Sequence, residues 1–347
     1  MKYILYLLLL ISPLVLANST PKPTQAEVID TVINAKPVKR VPPKYPISAA
    51  RNGQEGWVKL SFVIDQEGNV IDPIVEDSSG VRSLEKAARI AIKNWKYDPA
   101  KRNGAAIEQC QMTVQLDFKM HQTVTGVRRK FLSQYNLINE ALADKNYSLA
   151  DQELIKLRNK KMWNMAESAW YWMIDANYAE VTDDKSRERK SIERALSGDV
   201  EILGWSNNIK LLHKLFALQA QDNHFAKALD TFDQLIAVEN SQDVANKLIP
   251  YVTQIREILD GEDALIVQAN IDHKGSWFHK LSRNSFSLAD IKGELDEMEI
   301  RCANKRTRTT VANDTDWTIP ASWGQCTVFV KGDENSHFKL IELPNKV

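Results

Sequence analysis

The sequence predicts an α+β multidomain protein in which a small ββαβ unit is followed by an α-hairpin array and a small β-rich terminal domain. Three observations predict it. Apolar residues alternate with a two-residue period from Trp57 to Ile64 and again from Cys110 to Met120. A helical texture then runs from Thr123 to about Leu259, and short alternating runs return beyond Gly261. The 347 residues suffice for two or three domains, each able to bury its own core. Lys and Arg number 45 against 45 Asp and Glu, so neither a general nucleic-acid binder nor a polybasic membrane-surface protein fits, and 44% hydrophobic content argues against wholesale disorder.

At the N-terminus, Lys2 precedes an apolar run from Tyr3 to Leu16, and Val15-Leu16-Ala17 offers small residues for a peptidase. Residues 1–17 read as a secretory signal peptide, because the run falls short of the about 20 apolar residues that cross a hydrocarbon core. The alternative is an uncleaved anchor in the inner membrane. Residues 18–41, with Pro21, Pro23 and Pro37 and no sustained period, read as a linker.

The first unit spans residues 42–120. Val58, Leu60, Phe62 and Ile64 mark one face of a strand, Asp65 to Asn69 a turn, and Val70 to Val75 a return strand. Pro73 has no amide to donate, so that return strand is expected at an edge or with a bulge. Leu84, Ala87, Ala88, Ala91, Ile92 and Trp95 share one helical stripe, with Asp98-Pro99 expected to stop the helix. In the next strand Cys110, Met112, Val114, Leu116 and Phe118 alternate against Gln109, Gln111, Thr113, Gln115 and Asp117, the pattern of a sheet with one wet face and one face under a helix.

The wording of this unit adds to its periods. Pro42-Pro43-Lys44-Tyr45-Pro46, Ala49-Ala50, Gly53, Glu55-Gly56-Trp57-Val58, Phe62, Gly68-Asn69-Val70, Ser79-Gly80 and Trp95-Lys96-Tyr97-Asp98-Pro99 closely resemble, in order and spacing, the C-terminal domain of TonB-family energy transducers. The resemblance covers under a quarter of the chain. Read physically, Tyr45, Pro46, Gly53, Gly56, Gly68, Trp95 and Pro99 specify the fold: prolines hold the leading segment extended, glycines permit positive φ or close approach, and Trp95 offers a large apolar surface to the sheet.

Residues 121–260 form the expected helical repeat domain. Tyr147, Ala150 and Leu154 are spaced as are Phe225, Ala228 and Phe232, which resembles the second-helix signature of tetratricopeptide-like helix pairs, although the two copies are not separated by a multiple of that repeat's period of about 34 residues. Trp163, Trp170, Tyr171 and Trp172 are placed on one helix as packing core, with a ligand-facing aromatic groove as the alternative. Residues 261–347 form the expected β-rich domain, in which Met298, Ile300 and Cys302 alternate, as do Cys326, Val328 and Val330. In an exported chain, three cysteines give one pair and one left over. Cys302 and Cys326 are expected to form the disulfide and Cys110 to stay a buried thiol; three free thiols are the alternative.

No chemistry emerges from motifs. The histidines 121, 213, 224, 273, 279 and 337 include no helical i, i+4 pair; there is no C-x-x-C, nucleophile elbow or phosphate loop, and the carboxylate runs read as solvated faces. The expectation is a non-enzymatic binding protein without cofactor or metal and without nucleic-acid contacts. The resemblance implies a periplasmic domain that adds a strand to its sheet from the TonB box of an outer-membrane receptor, or from another envelope protein, in TonB-dependent transport. The candidate peptide-binding edge is the strand carrying Gln109, Gln111, Thr113, Gln115 and Asp117. The chain departs from the plain transducers in its short apolar run, its proline-poor linker and its appended domains. A periplasmic accessory is therefore the leading expectation; an envelope scaffold using its helical array and a membrane-anchored transducer with an uncleaved N-terminus are the alternatives. A homo-oligomer is compatible with all three.

Overall fold

The computed structural model describes residues 32–120, 126–160, 163–313 and 315–344. The expected signal peptide lies outside the described residues, and among those described no helix is long and apolar enough to cross a membrane.

The head comprises β1 (Val32–Ile33), β2 (Lys36–Lys39), α1 (Ile47–Arg51), β3 (Gly56–Ile64), β4 (Val70–Ser78), α2 (Arg82–Lys93), β5 (Lys96–Asp98), β6 (Ala100–Arg102), β7 (Ala105–Ile107) and β8 (Gln109–Phe118). Its main sheet is antiparallel with order β4-β3-β8. β4 is an edge, with register shifts against β3, and Asp72, the residue before Pro73, stands at φ 46°. The β3–β4 turn is held by the Asp65 carboxylate, which accepts from the Asn69 amide at 2.7 Å. Gly68 sits there at φ 78°, and a Cβ on it would lie 1.9 Å from the Tyr97 carbonyl oxygen. Beneath the sheet, Leu84, Ala88 and Ile92 of α2 pack on Val58, Leu60, Phe62 and Ile64.

Three local expectations are corrected. α2 ends at Lys93, ahead of Asp98-Pro99, because the next residues serve the core: Trp95 is buried edge-to-face on Phe62, and its indole N–H donates to the Val41 carbonyl at 2.8 Å. Residues 32–39, read as part of a linker, are paired: β1 lies antiparallel on β6 and β2 on β5. The sheet face opposite α2 is also largely covered, since Trp57, Ser61 and Val63 are buried on it. Alternation shows which side chains share a face, whereas the partner of that face comes from distant sequence.

Helices α3 (Arg129–Ala143), α4 (Tyr147–Asn159), α5 (Met165–Val181), α6 (Lys185–Ala195), α7 (Val200–Leu203), α8 (Trp205–Gln221), α9 (Phe225–Ile236) and α10 (Gln242–Asp260) follow. α3 pairs with α4, α5 with α6 and α8 with α9. The matched spacings fall on α4 and α9, second helices of their pairs, where Ala150 and Ala228 are fully buried because helices in close approach leave no room for a larger side chain there. Trp170, Tyr171 and Trp172 lie on α5, while Trp163 precedes it and packs its ring 4.4 Å from Tyr171; the cluster is core. Asn164 caps α5: its side chain accepts from the Glu167 amide, and its own amide donates to the Glu167 carboxylate.

The last domain is a β-sandwich. β9 (Leu265–Asn270), β10 (Ser276–Lys280), β11 (Ser285–Lys292), β12 (Leu295–Cys302), β13 (Arg306–Thr309), β14 (Asp316–Thr318), β15 (Cys326–Gly332) and β16 (His337–Leu343) make two antiparallel sheets, β10-β15-β12-β13 and β14-β11-β16-β9. Inward residues of both interdigitate, among them Val267, Phe286, Leu288, Ile300, Val328 and Leu340. Cys302 and Cys326 stand directly opposite in the β12–β15 register and are disulfide-bonded, leaving Cys110 as a buried thiol.

Candidate functional site

β8 is the outer strand of the head sheet. Among the described residues its backbone bonds run to β3, apart from one: the Cys110 N–H donates to the Ala303 carbonyl at 3.2 Å. From Met112 to Phe118 the flank has no backbone partner among the described residues. An extended segment could complete the ladder there through backbone donors and acceptors.

The side chains singled out on β8 have diverse surroundings. Gln109 accepts from the Ala35 amide at 2.7 Å and so holds the N-terminal arm. The Gln111 amide donates to the Arg301 carbonyl at 3.1 Å and to Thr327 Oγ1 at 3.2 Å, joining the head to the sandwich. Gln115 donates to the Ser197 carbonyl at 2.7 Å and to Asp117 at 2.9 Å, joining it to the array. Thr113 is exposed, and Asp117 lies 3.7 Å from Lys119.

Gln111 is half-buried, and Thr113 and Gln115 are exposed. They line a cleft of about 640 Å³ walled by all three domains. Trp57, Lys59 and Ser61 of β3 continue the head wall. Facing it is the outer surface of the β10-β15-β12-β13 sheet, where Phe278 and Phe329 form one cross-strand row and Lys280, Thr327 and Arg301 the next. The floor is helical, from Ser197 after α6 to Lys227, Asp230 and Thr231 of α9. Gln109 and Asp117 lie outside this lining.

Sequence reasoning missed Arg301 and Lys227. The alternation of Met298, Ile300 and Cys302 puts Arg301 on the outer face of β12, but that face is buried because the head covers it: Arg301 is 1% exposed. Its guanidinium pairs with Glu299 at 3.0 Å, reaches Ser61 Oγ at 3.4 Å and lies over Phe329. Nearby, Arg306 ties the sandwich to Asp72 and Glu108 of the head. Burial opposes ionisation of Asp72, but the hydrogen bond from Arg306 and the charges of Arg308, Arg306 and Arg301 outweigh it and hold that carboxyl below the usual carboxylate range. The Cys110 thiol is pushed up to about 12, first by burial and then by Glu108, which makes it a poor nucleophile. Among the described residues no group of three or more His, Cys, Asp or Glu is arranged to hold a metal ion.

Residues 41–120 match the family model described as Gram-negative bacterial TonB protein C-terminal. Protein TonB of Xanthomonas campestris pv. campestris is 44% identical over 63 residues, 18% of this chain and 28% of that protein. Protein tonB2 of Pseudomonas aeruginosa is 39% identical over 79 residues, 23% of this chain and 29% of that protein. The chain thus spans less than a third of either curated relative's length. The solved TonB2 protein from Vibrio anguillarum is 44% identical, with 26% of this chain and 84% of that chain covered and a TM-score of 0.22.

Proposed function

With a TonB C-terminal family domain at residues 41–120 as the premise, we propose that this chain is a non-enzymatic periplasmic binding protein of TonB-dependent transport, taking up a receptor's TonB-box peptide as an added strand on β8. The observation that carries this reading is the terminal position of β8 in the order β4-β3-β8, with its flank unpartnered from Met112 to Phe118 among the described residues. Backbone bonds of about 1 kcal/mol net each, less the cost of ordering the peptide, give modest affinity suited to transient engagement. Specificity then falls to side chains, and the cleft lined by Gln111, Thr113 and Gln115 is where they would be read.

The test is an amide-resolved NMR titration of the full chain with receptor N-terminal peptides. Shifts concentrated on residues 112–118 support strand addition; binding whose shifts lie on the helices instead supports the scaffold reading, and no binding removes the proposal. The polar ties from Gln111 and Gln115 favour that second reading to this extent: they bond the head to both other domains. A third reading, the anchored transducer, is removed by mass spectrometry of the purified protein if the chain starts at Asn18.

A further inference from the structure

Among the described residues, the cleft between the three domains holds one cation, Lys227, that forms no ion pair. The acidic groups around it are engaged: Asp230 with Lys280 at 2.6 Å, Glu76 with Lys59 at 3.7 Å, Asp77 with Arg194 at 3.0 Å and Glu193 with Arg189 at 3.7 Å. Arg301 has Glu299. Lys227, in the first turn of α9, has no carboxylate within ion-pairing distance among the described residues; its ammonium lies over the Phe278 ring at 5.0 Å from the centroid. A half-buried ammonium facing an aromatic ring has lost water without gaining a counter-ion, and its place in the first turn of a helix sets it against the helix dipole as well. Both penalties fall when an anion arrives. Burial also lowers the Lys227 pKa, and the charges of Arg189 and Lys59 act in the same direction, against Glu193 and Glu76.

The walls identify what carries the anion. Gln111, Thr113 and Gln115 on one side and Thr327 on the other offer amide and hydroxyl groups, while Trp57 and Phe278 offer apolar surface. A cleft of about 640 Å³ accommodates a short stretch of extended chain. We propose that the cleft is a carboxylate-binding site for an acidic peptide segment, with Lys227 as the cation that receives the carboxylate. This rests on the strand-addition reading above and adds to it the chemistry of the peptide: the segment beside β8 carries an acidic residue.

The experiment uses the full chain and two fluorescein-labelled receptor-type peptides that differ only in one Glu or Gln, with Lys227→Met as the variant and its thermal melt as the control for folding. The expected result is at least about tenfold tighter binding of the Glu peptide by the parent protein, abolished in Lys227→Met with the Gln peptide unaffected. Equal affinities in the parent, or a preference that survives in Lys227→Met, would overturn the assignment while leaving strand addition intact. A readout independent of peptide binding separates the two readings. With lysines reductively ¹³C-methylated, glutarate should shift the resonance that is missing from Lys227→Met, in a saturable way. That shift supports the carboxylate site even where no peptide binds β8, and its absence overturns the site.

Discussion

The Glu55 carboxylate accepts from the backbone N–H of Met165 at 3.1 Å, so a residue of the head holds the first turn of a helix 110 positions later in the chain. Its other oxygen accepts from the Met120 amide at 2.8 Å, and the Glu55 amide itself donates to the Trp163 carbonyl at 3.1 Å. Glu55 is buried and bonded entirely to main chain, which makes it the hinge pin between head and array. Glu55→Ala is expected to cost about 2–4 kcal/mol, because hydrogen bonds to a charged group are worth roughly 1.5–3 kcal/mol each and two main-chain amides, that of Met165 buried, are left without this acceptor. Urea denaturation measures the loss, and faster hydrogen exchange at Met165 than at Val58 would localise it; equal stability of the variant would refute the coupling.

Gly68 and Gly53 separate two demands on glycine. Both have positive φ, but a Cβ at Gly53 meets open space, whereas at Gly68 it would strike the Tyr97 carbonyl. Gly53→Ala should cost about 1 kcal/mol, the strain of the backbone conformation alone. Gly68→Ala should cost at least twice as much, because the β3–β4 turn must also move off β5. Thermal melts of the two variants check the order; an equal loss would mean that the close approach relaxes at no cost.

His224 makes stability depend on pH. It is 6% exposed, with its Nδ1 3.1 Å from Nδ1 of His279, whose Nε2 lies 2.7 Å from Glu342 Oε1. Burial first, then the charges of His279, Arg189 and Lys227, push its pKa far below the ordinary 6.5, so the folded protein keeps it neutral. Below pH 6.5 the unfolded chain binds a proton there and the folded chain does not, so the stability present above that pH declines as pH falls, by up to about 1.4 kcal/mol per pH unit. Urea midpoints between pH 7 and 5 should fall more steeply in the parent than in His224→Gln, and parallel slopes would count against this assignment.

Thiol labelling tests the cysteine arrangement. The native protein should not react, since Cys110 is buried and held protonated; the denatured, unreduced protein should show one reactive thiol and the reduced protein three. Cys302→Ser with Cys326→Ser should lower stability by about 3–4 kcal/mol, the chain-entropy value for a loop of this size. The loss should reach β8 as well, because the Cys110 amide is bonded to Ala303, the residue after Cys302. Exchange at the Cys110 amide that is unchanged in the double variant would show the two to be independent.

Much of the fold was legible because it is local. The stripe of Leu84, Ala88 and Ile92, the alternation along β3 and β8, the Asp65–Asn69 turn and the buried Ala150 and Ala228 follow from short-range periods that each element must satisfy whatever surrounds it. The strands of residues 32–39 were not legible, since pieces of two and four residues carry no period and exist only through pairing with β5 and β6. At the site, the edge strand and the residues Gln111, Thr113 and Gln115 could be named beforehand, but not what faces them.

By itself the amino-acid order determined the three-part architecture, the polar face of β8 and the cysteine pair, because each depends on residue type at short spacing or on elimination among three thiols. Only the tertiary structure decided that the polar face of the head looks across a cleft at Phe278, Phe329 and Arg301, and that Lys227 stands there without an ion-paired carboxylate among the described residues. Those neighbours are brought together from segments more than a hundred residues apart. No local period encodes that distance; it is set by how the buried faces of three domains fit against one another.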